Sequence, residues 1–208
     1  MNFDVLGLSQ LSYNLLSSWI LLGLAGLIAV LYGVRYALKG RAEFKRVDQQ
    51  GGSRLLNKGM MEMAYWSLQP LGKFLVSAGV TPNMISWTSL VFGALAGACL
   101  AYGHFGFGGA CAMVSGFMDS LDGMVARMSG VSSEAGEVLD ATIDRYAESF
   151  FLMGLVLYYR DFPLLQLVTL FALVGSYMVS YSTAKAEALQ ISPPKGSMRR
   201  PERPSRWR

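Results

Sequence analysis

Long uncharged stretches dominate the pattern of polar and apolar positions along the chain. Residues 11–34, 84–118 and 162–184 contain no Asp, Glu, Lys or Arg. Each is near or above the ~20 residues that a helix needs to cross the hydrocarbon of a bilayer. Glycines at 103–109 predict a tight connection within the middle stretch. The pattern predicts an all-α integral membrane protein. Its helices are expected over about 12–36 and 82–102, from the glycine connection to about 128, from about 134 to 159, and over 163–188.

Two of these helices have recognisable starts. Thr81 is in N-cap position, and Pro82 follows at the first helical position, where its missing N–H costs nothing. Ser132 or Ser133, followed by acidic residues, predicts a capped start for the helix that ends near 159.

Residues 55–78 have apolar positions at near-helical spacing, while Lys58, Glu62 and Lys73 fall elsewhere. This predicts an amphipathic helix at the cytoplasmic interface. A helix packed in a soluble-type core is the alternative, and the position between two spans favours the interface. The apolar positions are Leu56, Met60, Met63, Trp66 or Ser67, Leu71 and Phe74.

Changes in composition divide the chain into four parts. Residues 1–47 are predicted to be a retained transmembrane anchor with a basic cytoplasmic end, because the N-terminus lacks the positive start and cleavage site of a signal peptide. Residues 48–54 are polar, with paired glycines, and predict a linker. Residues 55–191 form the predicted membrane domain. Residues 192–208 are rich in proline and basic residues and predict a cytoplasmic tail without regular structure.

Composition and charge agree with a membrane protein of defined orientation. Hydrophobic residues make up 52% of the chain and charged residues 15%. Of the 18 Lys and Arg residues, this arrangement leaves only Arg160 in an outside connection, as the positive-inside rule requires. The net charge of +4 favours anionic lipid head groups as partners, and no basic soluble module indicates nucleic acid binding. Cys99 and Cys111 lie in apolar runs and predict no disulfide framework.

Four aspartates lie at the ends of two of the predicted helices. Asp119 and Asp122 are three residues apart near the end of one helix, and Asp140 and Asp144 are four apart near the start of the next. Residues at these spacings share a helix face, so a hairpin turns the pairs toward each other. Four converging carboxylates repel one another and call for cations between them. Aspartate oxygens favour Mg²⁺ or Mn²⁺, and two ions suit a diphosphate.

These aspartates belong to a longer pattern, DxxDGxxARx8Gx3Dx3D. It spans residues 119–144 and resembles the signature of the CDP-alcohol phosphotransferase (CDP-alcohol phosphatidyltransferase) family, with every fixed position matched. The resemblance covers about residues 56–203 and is closest to the phosphatidylinositol-phosphate synthase branch. The fixed positions are Asp119, Asp122, Gly123, Ala126, Arg127, Gly136, Asp140 and Asp144.

The resemblance implies transfer of a phosphatidyl group from CDP-diacylglycerol to the hydroxyl of a small alcohol, with release of CMP. Asp119, Asp122 and Asp140 would be metal ligands, and Asp144 would be a ligand or, as we favour, the general base. The small side chains of Gly123, Ala126 and Gly136 would let a nucleotide approach the helix backbone. Arg127 would offer a fork to phosphate.

The acceptor is predicted to be a small, phosphorylated alcohol. The segments around Ser180 and Arg200 resemble those that hold a phosphorylated acceptor in that branch, with Lys185, Arg200 and Arg203 as candidate phosphate ligands. Inositol phosphate and glycerol 3-phosphate both stay open as acceptors. So does the alternative that these basic residues only form a positive-inside tail.

The family has about six core helices, whereas four follow the interfacial helix here. We therefore expect a core that is shortened at its C-terminal end. Exposed apolar faces would lower stability, and a homodimer is one arrangement that would cover them.

Simpler roles exist for single residues of the pattern. Asp140 could complement a helix N-terminus, Arg127 and Arg145 could pair with aspartates, and small residues could serve helix packing. For the whole chain, the alternative function is a non-catalytic membrane scaffold or a cation carrier. It gives no reason for Gly123, Ala126 and Arg127 beside the aspartates. A bacterial inner membrane is the expected location, with the active site facing the cytoplasm.

Overall fold

The described part of the chain is built from helices. A computed structural model describes residues 3–40, 58–131 and 133–191, which confirms the all-α class. The predicted linker, the basic residues Arg41, Lys45 and Arg46, and the tail lie outside these residues. The helices are α1 (Phe3–Lys39), α2 (Lys58–Ser77), α3 (Pro82–Ala101), α4 (Phe105–Met128), α5 (Glu134–Tyr158) and α6 (Pro163–Ala188).

The predicted helix starts are confirmed. The Oγ1 atom of Thr81 accepts a hydrogen bond from the backbone N–H of Met84 at 3.4 Å. The Oγ atom of Ser133 accepts one from the N–H of Gly136 at 3.1 Å. Between helices, Gly103 and Gly130 have φ angles of +78° and +69°, a backbone conformation that glycine adopts without strain.

Helix α3 is the centre of the bundle, since it packs along both α4 and α5. Its buried face consists mainly of small residues, and this lets the neighbouring backbones come close. A Cβ atom added at Gly97 would lie 2.2 Å from the carbonyl oxygen of Phe150, and one at Gly93 would lie 2.9 Å from the Cβ of Ala147. By contrast, α4 and α5 touch each other at few residues. The buried residues of α3 are Ile85, Ser86, Ser89, Gly93, Ala96, Gly97 and Leu100.

Among the described residues, three helices are long and apolar enough to cross a membrane: Ser12–Leu38, Pro82–Ala101 and Pro163–Ala188. Helices α4 and α5 have sufficient length, at 24 and 25 residues. Their composition is less apolar because they carry the charged residues of the 119–144 pattern. The chain is therefore an integral membrane protein, and seven of its 14 Asp and Glu residues lie in α4 and α5.

Helix α1 is attached to the bundle by specific contacts. The Asn14 side chain donates to the carbonyl of Gly103 at 3.2 Å and accepts from the N–H of Gly106 at 3.0 Å. A Cβ atom at Gly106 would lie 1.7 Å from the Oγ of Ser17, so the two helices are in close contact there. The division of the chain into an anchor, a linker, a membrane domain and a tail stays a prediction.

At its other end, α1 contacts α2. The expectation that Glu62 lies on an exposed polar face of α2 is wrong. Glu62, expected on a polar face, is 2% exposed and accepts a hydrogen bond from the Tyr32 hydroxyl at 3.3 Å. The Tyr32 ring lies 5.7 Å from that of Trp66, and the guanidinium of Arg35 lies 5.9 Å from the same Trp66 ring. The apolar side chains of Met60, Leu71 and Phe74 are exposed instead. The presence of α1 explains this orientation, because it supplies a hydroxyl for the buried carboxylate.

Candidate active site

Three of the four predicted aspartates converge between α4 and α5. One carboxylate oxygen from each of Asp119, Asp122 and Asp140 lies within 4.8 Å of the others. The three-residue spacing places Asp119 and Asp122 on one face of α4, and the second turn of α5 lies opposite them. The convergence that the spacing predicted is therefore present for these three residues.

Asp122 is the most firmly held of the three. It is 3% exposed, and its Oδ2 atom accepts a hydrogen bond of 2.6 Å from the hydroxyl of Ser86 on α3. Its Oδ1 atom accepts the backbone N–H of Gly123 at 2.5 Å. Both oxygens thus have a donor, and the plane of the carboxylate is defined by the protein.

Asp144 lies near this group, and its charge acts on Asp119, but its oxygens are not part of the three-carboxylate cluster. Its Oδ2 atom accepts a hydrogen bond from the guanidinium of Arg145. Arg145 also pairs with Glu148, and the Ser176 hydroxyl of α6 donates to Glu148. A chain of polar contacts therefore leads from Asp144 along α5 to α6. The simpler role considered for Arg145, pairing with an aspartate, is the one observed.

Gly123 and Arg127 form one surface beside Asp122. A Cβ atom at Gly123 would lie 3.2 Å from Nη1 of Arg127, so the missing side chain makes room for the guanidinium. Arg127 is exposed, and its charge acts on Asp122. Across the turn, Gly136 occupies the first turn of α5 and donates its N–H to Ser133.

The predicted acceptor residues are described only in part. Lys185 lies in the last turn of α6. Arg200 and Arg203, together with Lys195 and Arg199, lie outside the described residues.

Sequence reasoning missed Ser86, Glu148 and Ser176. Glu148 extends the four-residue spacing of Asp140 and Asp144, so that spacing could have indicated it. Ser86 and Ser176 lie in uncharged stretches where serine usually serves helix packing, and no local signal sets them apart.

The cluster fits a divalent cation. Its donors are three carboxylate oxygens, the hard ligands that Mg²⁺ and Mn²⁺ prefer. Oxygen ligands about 2.1 Å from one Mg²⁺ ion lie at most about 4.2 Å apart. The observed limit of 4.8 Å is close to that value, so small side-chain rotations would suffice for binding.

Comparison with known proteins identifies a family and several relatives of this chain. The family model described as CDP-alcohol phosphatidyltransferase matches residues 79–197. Archaetidylinositol phosphate synthase of Pyrococcus horikoshii is 38% identical over 120 residues, 58% of this chain and 62% of the relative. Phosphatidylinositol phosphate synthase of Streptomyces avermitilis is 32% identical over 164 residues, 76% and 65% of the two chains. That of Mycobacteroides abscessus is 35% identical over 143 residues, 64% and 63%.

The fold and the site thus define a helical membrane protein with a carboxylate cluster between two helices. The chain belongs to the CDP-alcohol phosphatidyltransferase family, since the family model covers more than half of it and includes the whole 119–144 pattern. It spans slightly less than two thirds of the length of the three relatives, 62%, 65% and 63%.

Proposed function

We propose that this protein transfers a phosphatidyl group from CDP-diacylglycerol to the hydroxyl of a small, phosphorylated alcohol and releases CMP, as part of phospholipid biosynthesis. The observation that carries the proposal is the convergence of Asp119, Asp122 and Asp140 within 4.8 Å, inside a fully matched family pattern. A scaffold would not require three carboxylates to face one another, because their mutual repulsion opposes folding.

The three clustered aspartates are proposed to hold Mg²⁺ or Mn²⁺, two ions in all, with Asp144 as a candidate further ligand. When bound, such ions neutralise a diphosphate and stabilise the attacking and leaving oxygens of a phosphoryl displacement. Arg127, the exposed guanidinium beside Asp122, is proposed to bind a donor phosphate. Gly123, Ala126 and Gly136 are proposed to line the nucleotide site, with Arg127 swinging away from Gly123 as the nucleotide enters.

Asp144 is proposed to be the general base. It would accept the proton of the acceptor hydroxyl while that oxygen bonds to the phosphorus of the diacylglycerol phosphate. The bond from this phosphorus to the bridging oxygen would break, and CMP would leave with that oxygen. Asp144 is suited to this role because it lies beside the cluster yet outside it, with Arg145 orienting one of its oxygens.

Inositol phosphate is the favoured acceptor, because the names of the relatives from Streptomyces avermitilis and Mycobacteroides abscessus both specify a phosphatidylinositol phosphate synthase. Lys185 at the end of α6, with Arg200 and Arg203 of the tail, is proposed to bind the acceptor phosphate. Glycerol 3-phosphate has the same phosphate chemistry and is the alternative acceptor.

The site is proposed to face the cytoplasm, in a bacterial inner membrane, where the lipid donor and a soluble acceptor can meet. Basic residues concentrated at the cytoplasmic ends of the predicted spans support this orientation. A homodimer is proposed in which α6, whose apolar residues Leu164 and Phe171 are 73% and 67% exposed, packs against the partner subunit through dispersion contacts. Residues 1–47 are proposed to act as an anchor, residues 48–54 as a linker, 55–191 as the membrane domain and 192–208 as a basic tail.

The decisive experiment is CMP release by the full chain, purified in detergent or reconstituted in nanodiscs. CDP-diacylglycerol would be supplied with inositol phosphate, glycerol 3-phosphate, inositol or serine, and with Mg²⁺, Mn²⁺ or a chelator. We expect metal-dependent release with one phosphorylated acceptor. Release with inositol or serine alone would contradict the proposed acceptor class.

The variant Asp119→Asn serves as the inactive reference, since it removes one cluster carboxylate at constant size. A folded protein that binds Mn²⁺ yet releases no CMP with any of the four acceptors would favour the non-catalytic alternative.

A further inference from the structure

Ser86 contacts the carboxylate cluster from a helix that contributes no acid to it. It lies in the second turn of α3, is 4% exposed and donates to Oδ2 of Asp122 at 2.6 Å. The carbonyl of Pro82, at 3.2 Å, is its other available acceptor. A hydroxyl has one hydrogen to donate, and the shorter bond to an ionised oxygen is the stronger of the two. Asp122 is therefore the acceptor that the geometry favours.

The orientation of Asp122 depends on this bond. Its second donor is the N–H of Gly123, the adjacent residue of the same helix, which holds Oδ1 at 2.5 Å. Two donors on different helices fix the carboxylate plane, whereas a single donor leaves rotation about the Cβ–Cγ bond. Hydrogen bonds to the ligands of a metal commonly change its affinity by about 10- to 100-fold.

We propose that Ser86 is a positioning residue for the cation site, acting through Asp122. The inference deepens the proposed function and rests on it, since it assumes that the cluster binds a divalent cation. It makes cation affinity depend on one hydroxyl of α3, because the second donor to Asp122, the N–H of Gly123, belongs to α4 itself.

Ser89 provides a matched control. It lies one turn further along α3, is 2% exposed, and exchanges hydrogen bonds with Ser115 of α4, donating to its carbonyl at 3.0 Å. Ser89→Ala therefore removes a buried hydroxyl from the same pair of helices, while the acidic cluster keeps all its donors. A change in Kd or in unfolding temperature that Ser89→Ala shares with Ser86→Ala is therefore due to helix packing, not to the loss of a donor to Asp122.

The test is Mn²⁺ binding by the full chain in nanodiscs, read from the loss of the free Mn²⁺ signal in electron paramagnetic resonance. We expect Ser86→Ala to raise the Kd for Mn²⁺ by about 10- to 100-fold, and Ser86→Thr, which keeps the hydroxyl, to restore much of the affinity. Ser89→Ala should lower the unfolding temperature and leave the Kd unchanged. If Ser86→Thr fails to fold, the Kd values of the two alanine variants are sufficient to test the inference.

An unchanged Kd in folded Ser86→Ala would overturn the inference, and so would an equal loss of affinity in Ser89→Ala. Wild-type protein that binds no Mn²⁺ would overturn this inference, and it would overturn the proposed function as well if CMP release showed no dependence on Mg²⁺. Wild-type protein that binds Mn²⁺ in a Ser86-dependent manner, yet releases no CMP, would support the positioning role and contradict the transferase proposal.

Discussion

Gly97 of α3 and Gly154 of α5 are in backbone contact. A Cβ atom at Gly154 would lie 2.2 Å from the carbonyl oxygen of Gly97, a distance that real Cβ atoms do not adopt. Without side chains at this crossing, α3 and α5 approach more closely than ordinary helices do, and dispersion contacts replace the hydrophobic effect that lipid cannot supply. The crossing holds the two helices that contribute Ser86 and Asp140 at a fixed separation.

We predict that Gly97→Val strongly destabilises the protein. The added carbons would overlap the backbone of Phe150 and force the helices apart, at a cost of about 3 kcal/mol, the upper range for overpacked sites. Thermal unfolding in detergent measures this. Gly116→Ala in α4 is the control, because a Cβ atom added there would have no neighbour within 4 Å and the change should be neutral or slightly stabilising. Equal unfolding temperatures for the two variants would contradict the prediction.

We predict that Asn14→Ala loosens α1 from the bundle. His104, the N-cap residue of α4, makes no side-chain capping bond, and Asn14 of α1 accepts the N–H of Gly106 instead. Losing a cap costs about 1 kcal/mol. Limited proteolysis and thermal unfolding would detect the change. Ser18→Ala is the control, because its exposed hydroxyl bonds only within α1, to the Asn14 carbonyl. An unchanged unfolding temperature and an unchanged cleavage pattern in Asn14→Ala would contradict the prediction.

Helix boundaries could be predicted from the sequence because their causes are local. Thr81 with Pro82, and Ser133, define their helix starts through contacts within three residues. The facing of α2 could not be predicted in the same way. Glu62 is buried because Tyr32, 30 positions earlier and on another helix, supplies its hydrogen-bond donor. Helical periodicity within α2 carries no information about that partner.

In the candidate site, too, the local features could be predicted from the sequence and the long-range contacts could not. The convergence of Asp119, Asp122 and Asp140 follows from helical spacing and a short turn, so the sequence predicted it. The donor to Asp122 is Ser86, 36 positions away, and its role depends on how α3 packs. The pairing of Asp144 with the adjacent Arg145 is local, and the sequence suggested it, whereas the contact of Glu148 with Ser176, 28 positions later, depends on how α6 packs.

We predict that Glu148→Ala lowers both stability and turnover. Arg145 is 17% exposed in its side chain, and without Glu148 its guanidinium would lose one carboxylate and shift relative to Asp144. Hydrogen bonds to charged groups contribute about 1.5–3 kcal/mol, and the lower end applies because Glu148 is partly exposed. Unfolding and CMP release would be measured together. A stable variant with unchanged turnover would contradict the prediction.

A double-mutant cycle sharpens that test. Ser176 donates to Glu148, so the effects of Ser176→Ala and Glu148→Ala should not add. Ser182→Ala changes an exposed hydroxyl of α6 that bonds within its own helix. Its effect on the free energy of unfolding should add to that of Glu148→Ala. Strict additivity of Ser176→Ala and Glu148→Ala would show that the hydrogen bond between Ser176 and Glu148 contributes little to stability.

We predict that Asp144→Asn abolishes most turnover while Mn²⁺ and CDP binding are largely kept. Asparagine keeps the size of the side chain and an oxygen that can accept from Arg145, yet it cannot take up a proton. Removing a general base typically lowers the rate by about 10² to 10⁴. Single-turnover CMP release measures the chemical step, and Mn²⁺ and CDP titrations measure binding.

Two further variants define what the Asp144→Asn result means. Asp140→Asn alters a member of the three-carboxylate cluster and should weaken Mn²⁺ binding together with turnover. Asp161→Asn alters an exposed aspartate that pairs with Arg160 in the α5–α6 turn, and should change neither. If Asp144→Asn behaves like Asp140→Asn, with equal loss of binding and turnover, Asp144 is a metal ligand and the base must be sought elsewhere. If turnover alone falls, the position of Asp144 beside the cluster, with Arg145 on one oxygen, is that of the proton acceptor.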